Sequence, residues 1–524
     1  MRAALIVAVV GAVALAGAAH AKGFGEAVRV SRALEEQRIE DARAALAPLL
    51  AAHGDEPDVR FLAAQVDFLE GDYAGARKKL VGITGELASA SKELDRLLAR
   101  TEQATKGFVT RDFPHFTIAY GEADEVLVDV AGEALEAAYR TIGDDFGWKA
   151  KTRVRVELLA RPRDLAMVST LTEDEIETSG TIALCKYNKL MVVSPRATVF
   201  GYPWLDTMAH EYTHYVVSRV ALDKVPIWLH EGLAKFEETR WRAPAGKPLG
   251  RAMVGYLAQA LRRGRLITFE EMHPSMAKLP SQEAAATAFA EVASLVGWLH
   301  AKIGYEGIRD VLARVASGKT ERRAIGEVLD KGFPEVEAAW RAHLRATVDK
   351  SVASPKVLRG GKIKFKKGKQ EDADDAGLDE VREGTARRHA KIAGLLRGKN
   401  RLGAAAIEYE KALAAAGGDP LAEPLVAARL ARTMLEIGNP KRAIELATPL
   451  AARDDEDALP AAVLGEAYRR AGEPAKAIPY LEAALRLSPF DPAVRCGLAE
   501  VYAASAQPAL AAREQHACDV IGKR

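Results

Sequence analysis

Cysteine is scarce. The 524-residue chain has three, Cys185, Cys496 and Cys518. So low and odd a count excludes a disulfide scaffold and leaves stability to hydrophobic cores. A Cys496–Cys518 bridge is compatible with the count but not required by it. Neither charge sign is in excess: 74 basic against 72 acidic residues give a net +2. That balance lacks the basic footprint of a phosphate-binding surface, so no nucleic-acid partner is expected. Long apolar runs are also absent beyond the first twenty or so residues, and no stable membrane span is expected in the mature chain. What is present is an ordinary globular composition, 48% hydrophobic and 28% charged, in a chain long enough for about two to four domains.

The single apolar run opens the chain. "MRAALIVAVVGAVALAGAAHAKG" has Arg2, an apolar stretch to about Ala19, and Ala19-His20-Ala21. Charged region, hydrophobic region and small-residue cleavage site together read as a signal peptide over residues 1–21. The mature protein is therefore expected to be exported, periplasmic or secreted. No cysteine near the junction offers a lipid anchor.

A period of 34 residues marks both ends. Leu430, Leu464 and Leu498 begin similar stretches, and a looser copy starts near Ile392. The fullest copy places Gly465, Tyr468, Gly472, Ala477 and Ala484 before Pro489. Small residues let paired helices approach, and the glycine makes the turn between them. This resembles the tetratricopeptide repeat. Near the N-terminus, Ala42 and Ala76 are also 34 apart, with Gly71-Asp72-Tyr73 before the second. Repeats are expected over residues 22–107, about two units, and 385–524, about four.

Between them the period changes. Residues 115–120 and 154–160 alternate as strands, a helix separates them, and 178–195 reads as a hairpin turning at Tyr187-Asn188. After Pro203 the pattern is helical to about Val348. Residues 108–350 are thus expected to form an α+β domain. A basic block and then an acidic block over 351–384 read as a solvated linker, with alternation from Lys362 to Lys366 sufficient for a short hairpin.

The chemistry concentrates in "DTMAHEYTHYVVSRVALDKVPIWLHEGLAKFEE", residues 206–238. His210 and His214, four apart, project from one helix face and suit two ligands of one zinc ion. Glu211 lies ~100° around the helix from His210. It sits where a carboxylate takes a proton from water beside the ion, which is the content of His-Glu-x-x-His. A catalytic zinc needs a third protein ligand and an open position. His230 and Glu231, on the following segment, are the candidates.

That following segment, Trp228-Leu229-His230-Glu231-Gly232-Leu233-Ala234, resembles the second helix of gluzincin zinc metallopeptidases, specifically peptidase MA-like domains. The resemblance implies Glu231 as third ligand, with Gly232 letting the second helix approach the first, and a zincin-like α+β fold. It also implies a sheet-edge strand binding peptide, here Thr181–Leu184 or Lys189–Ser194. The Gly-x-Met-Glu-Asn segment of the aminopeptidase branch is missing, which points to an endopeptidase. Phe289 stands where the family often has a tyrosine, leaving Tyr202, Tyr212, Tyr256 and His273 as candidates to stabilise an oxyanion. The expectation is an exported Zn2+-dependent peptidase with Glu211 as catalytic base and His210, His214 and Glu231 on the metal. The repeats would recruit a protein or peptide substrate or protein partners. The alternative is a low-activity or inactive peptidase-like scaffold for envelope assembly.

Overall fold

The computed structural model describes residues 24–244, 249–348, 363–366, 377–379, 381–452 and 457–523. The signal peptide and most of the linker lie outside the described residues. The described residues are 70% helical, with one small mixed sheet among them.

The N-terminal segment comprises α1 (Phe24–Glu35), α2 (Ile39–His53), α3 (Pro57–Glu70), α4 (Tyr73–Leu80) and α5 (Ala88–Ala104). Asp72 caps α4 by accepting from the Gly75 amide, as a polar N-cap does. The sheet follows in the order β1-β2-β3-β5-β4: β1 (Val109–Asp112), β2 (Phe116–Tyr120), β3 (Val154–Leu159), β4 (Ala183–Lys186) and β5 (Lys189–Val193). β2, β3 and β5 run parallel, and the outer pairs are antiparallel. The expected hairpin is β4–β5, turning through Tyr187 and Asn188 at φ 55° and 61°, the conformation of a type I′ turn. β1 escaped the sequence reading because all four of its residues are exposed.

Three helices interrupt the sheet: α6 (Val128–Phe146), α7 (Pro162–Val168) and α8 (Glu173–Ser179). Then come α9 (Trp204–Val220), α10 (Ile227–Glu237), α11 (Arg251–Arg263), α12 (Gln282–Ala316), α13 (Glu321–Leu329) and α14 (Phe333–Thr347). Helix α12 breaks at Gly304, where φ is 59°. By length and composition alone this helix would cross a membrane, yet half of its most apolar window is buried inside the protein. Alanines raise the mean hydropathy of this core helix, while Glu291, His300 and Lys302 keep it from being an unbroken apolar run.

Alternation along the strands divides the sheet into two faces. Val156, Leu158, Leu190 and Val192 join a core with α6, α9, α10 and α12. Leu159, Met191 and Val193 join another with Phe61, Phe68, Leu94, Leu97 and Leu98 of the N-terminal helices. The N-terminal helices are thus the second layer on the sheet. A buried polar relay marks the seam. Lys189 donates to the Tyr73 hydroxyl, which donates to Glu157. Lys189 also pairs with Glu157 at 3.2 Å, and Arg155 donates to it at 2.9 Å. Both Lys189 and Glu157 are fully buried.

The linker is not wholly a solvated connector. Phe365 is buried and pairs with Thr198 as an isolated bridge. Gln282 fixes Ile363, accepting from its amide at 3.0 Å and donating to its carbonyl at 3.1 Å. Ile363 and Phe365, between lysines, carry enough apolar surface to dock this strap. Beyond it, eight helices form four antiparallel hairpins: α15 (Thr385–Gly398), α16 (Leu402–Ala416), α17 (Ala422–Glu436), α18 (Pro440–Ala451), α19 (Ala458–Arg470), α20 (Pro474–Leu487), α21 (Pro492–Ala504) and α22 (Pro508–Gly522). Cys496 and Cys518 are joined in a disulfide between α21 and α22.

Removing Lys189 takes one of two cations from the buried Glu157 and leaves Arg155 and the Tyr73 hydroxyl on it, so the cost should fall below that of a fully stranded charge, about 3–5 kcal/mol. Lys189→Ala is therefore expected to lower the urea midpoint of the segment joining the N-terminal helices to the sheet. Lys189→Met combined with Glu157→Gln should recover most of the loss.

Candidate metal centre

Helix α9 starts after Pro203, and Asp206 in its first turn pairs with Arg242 at 2.6 Å. Trp204, Met208, Tyr212 and Val216 bury one side in the core. Positions 210, 211 and 214 therefore line the opposite side, facing a cavity of about 990 Å³. Chain reversal uses Leu222 and Asp223 in the left-handed region, at φ 52° and 56°. Helix α10 then begins after Pro226 and returns across α9.

Four side chains meet where the helices cross. His210 Nε2 and His214 Nε2 each lie 3.2 Å from the same oxygen, Oε2 of Glu231. Ligand atoms about 2.0–2.2 Å from a tetrahedral zinc sit roughly 3.3 Å apart, and both histidine–Glu231 separations match that spacing. His210, Glu211 and His214 also offer donor atoms within 4.8 Å of one another. Glu211 is 5% exposed, and its Oε2 is buried without a hydrogen-bond partner. Two imidazoles, a carboxylate and an orphaned carboxylate oxygen at one cavity wall fit a divalent cation with nitrogen–oxygen preference, zinc above all.

The electrostatics agree. Burial pulls the His210 imidazole down, but the carboxylates of Glu231 and Glu238 outweigh it and hold the group at about 10. Burial would raise Glu231, yet the His214 and His210 rings hold its carboxyl below the ordinary range. Without a cation, the carboxylates of Glu231 and Glu238 thus favour a proton on His210. Burial raises the Glu211 carboxyl, only partly offset by His214 and His210, the direction useful for a general base.

His230, the rival third ligand, is turned elsewhere. Its Nδ1 lies 2.6 Å from His214 Nδ1, on the other edge of that ring from Glu231. Its Nε2 meets Ser218 Oγ at 3.2 Å, and Ser218 donates to Asp223 at 2.9 Å. Burial and the neighbouring His214 push it down to about 3, so it is neutral. His230 is a partner that orients a ligand rather than a ligand itself. Glu238 does the same for His210: its carboxylate is 3.7 Å from Nδ1, an ion-pair distance, and is itself held by Lys235 at 2.7 Å. Glu238 was missed in the sequence, although seven residues after Glu231 it returns to the same helix face.

Gly232 does permit a close approach, but to a different helix. An added Cβ would lie 2.9 Å from the Val292 carbonyl of α12 and 2.8 Å from Val296. The glycine therefore seats α10 on α12 rather than on α9. Phe289 of α12 faces His210, ring centroids 6.2 Å apart. Among the four oxyanion candidates, Tyr212 packs on Phe116 and Tyr139, and Tyr256 is buried in the same core. The Tyr202 hydroxyl donates to the Val193 carbonyl. His273 lines the cavity and is exposed.

Residues 136–346, which include all four clustered side chains, match the Peptidase MA superfamily profile. The chain contains a Peptidase MA superfamily domain. Residues 460–501 match the tetratricopeptide repeat, so repeats accompany the peptidase MA domain as expected. No curated protein matches the chain. Among solved structures, "Crystal structure of APC/C hetero-tetramer Cut9-Hcn1" aligns at 15% identity over 99% of this chain and 96% of that one. Its TM-score of 0.25 is too low to indicate a shared fold.

The donor set of the peptidase MA domain predicts one zinc per chain, with Glu231→Ala weakening binding at least ~10-fold and Glu211→Gln retaining it. Because His210 is held at about 10, it is protonated at pH 8 in the metal-free protein. Zinc must displace that proton, so affinity should fall as pH falls, about tenfold per unit per proton released. Calorimetry in buffers of different ionisation enthalpy should count about one proton from His210 at pH 8.

Proposed function

We propose that the protein is an exported zinc-dependent endopeptidase with a zincin-like α+β domain. The observation that carries this reading is the convergence of His210 Nε2 and His214 Nε2 on one oxygen of Glu231, 3.2 Å from each, beside the unpartnered Oε2 of Glu211. His210, His214 and Glu231 would hold zinc. When bound, zinc supplies a Lewis acid that acidifies water and polarises a carbonyl.

The remaining work falls to the chain itself. Glu211 takes a proton from the attacking water and later delivers it to the leaving amine. Burial supports that role by lifting its proton affinity. His230 and Glu238 keep the two imidazoles in register. Strand β4 is the sheet edge, and its residues line the cavity. Ile182 bonds β5 through its carbonyl, accepting from Val193 at 2.8 Å. By antiparallel alternation, the main-chain groups of Ala183 and Cys185 then face outward, where the Cys185 amide meets the Glu211 carboxylate. A peptide would add to that edge as a further strand. Of the two strands considered, the edge position favours Thr181–Leu184 over Lys189–Ser194, whose β5 is interior.

The Ala19-His20-Ala21 leader supports export, and a disulfide between Cys496 and Cys518 suits an oxidising compartment. The C-terminal repeats would serve protein partners or substrates. One observation favours the alternative, a scaffold of low turnover: Phe289, which has no hydroxyl, faces His210. Purified protein loaded with zinc is expected to cleave unfolded polypeptide at internal bonds. Glu211→Gln should lower kcat by at least ~100-fold while zinc content, measured by atomic emission, stays at one per chain. Full zinc with no cleavage by the wild type across a broad panel would establish the scaffold instead.

A further inference from the structure

The cavity at the metal centre has a second wall that comes from the C-terminal repeats. Ala458, Leu459 and Ala462 of α19 and Ser488 after α20 line the same space as His210, Glu211 and Glu231. The repeats are seated there firmly. Gly201, at φ +72°, packs so closely on α20 that a Cβ would lie 1.9 Å from the Leu487 carbonyl. The fully buried Arg495 donates to Glu514 at 2.6 Å, to the Pro489 carbonyl at 2.9 Å and to the Val126 carbonyl of the central domain at 3.1 Å. Arg513 donates to Glu133 of α6 at 2.8 Å. Arg495 keeps its Glu514 partner within the repeats, and its bond to Val126 ties that buried pair to the central domain, since parting the seam would leave a buried N–H unsatisfied.

The two walls differ in kind. One is the free edge of β4, with main-chain groups that call for a strand partner. The other carries Ala458, Leu459 and Ala462 at the start of a repeat helix, with Arg429, Arg432, Asp457 and Asp491 beside them. A volume of about 990 Å³ lies at the top of the range for small-ligand pockets and is too small for a folded domain. The occupant that satisfies both walls is one extended polypeptide segment, its backbone on β4 and its side chains against α19.

We propose that Ala458, Leu459 and Ala462 are specificity-determining residues of the cleft, so that the C-terminal repeats read the substrate segment lying at the metal centre rather than recruit proteins at a distance. The inference rests on the peptidase reading above. Its test uses binding, so the two fail separately. The full chain carrying Glu211→Gln is titrated against fluorescein-labelled, reduced and carboxymethylated lactalbumin, an unfolded probe, and the Kd is read by anisotropy. Ala462→Trp and, in the first turn of the helix, Ala458→Trp are added to that background and checked for unchanged melting and zinc content. A threefold or greater weakening in either soundly folded variant is the expected result. Weakening below threefold in both overturns the proposal, as does failure of the Glu211→Gln parent to bind the probe. Binding that responds to the tryptophans, with no cleavage by the wild type, overturns the hydrolase reading and leaves the shared cleft standing.

Discussion

The site depends on holding one carboxylate, Glu231, between two imidazoles in a buried place. Each group alone would be costly there: burial opposes the charged form of all three. Together they offset one another, with a proton on His210 standing in for the charge a metal brings. The arrangement is therefore sensitive to the angle between α9 and α10, and that angle is set outside the site. Gly232 seats α10 on α12, and Leu222-Asp223 turns the chain in a left-handed conformation.

The surrounding polar contacts form two arms. On one side His214 leans on His230, Ser218 and Asp223; on the other His210 faces Glu238 and Lys235. Apart from Ser218, which belongs to α9, both arms come from the loop and helix that supply Glu231. A change in α10 thus reaches the ligand and its supports together. Glu211 stands apart from the arms: it lines the cavity, and its buried Oε2 has no hydrogen-bond partner.

The helical segments are joined to the peptidase MA domain by the same physical device. At the N-terminal seam Lys189, Tyr73, Glu157 and Arg155 share a buried relay. At the C-terminal seam Arg495 joins Glu514 and the Val126 carbonyl. In each case the ion pair belongs to one side and a neutral group crosses the seam, the Tyr73 hydroxyl in one and the Val126 carbonyl in the other, so misalignment would leave a buried polar group short of a hydrogen bond. The strap at Ile363 and Phe365 adds an apolar contact over the cleft rim.

Much of this was determined by sequence alone. The 34-residue period, the hairpin at Tyr187-Asn188, and the pairing of His210 with His214 follow from local periodicity, which the chain carries wherever it folds. The choice of Glu231 came from resemblance, and residue types by themselves left His230 equal to it. Only tertiary structure separated them, by the direction in which α10 crosses α9: Glu231 points at the histidine pair, and its neighbour, ~100° around the helix, reaches the back of His214 instead. Glu238, the α12 contact of Gly232, β1 with its exposed residues, the docking of the supposed linker and the repeat wall of the cavity were likewise decided in three dimensions. Each depends on residues far apart in the chain, and no local period records which distant surface a helix will meet.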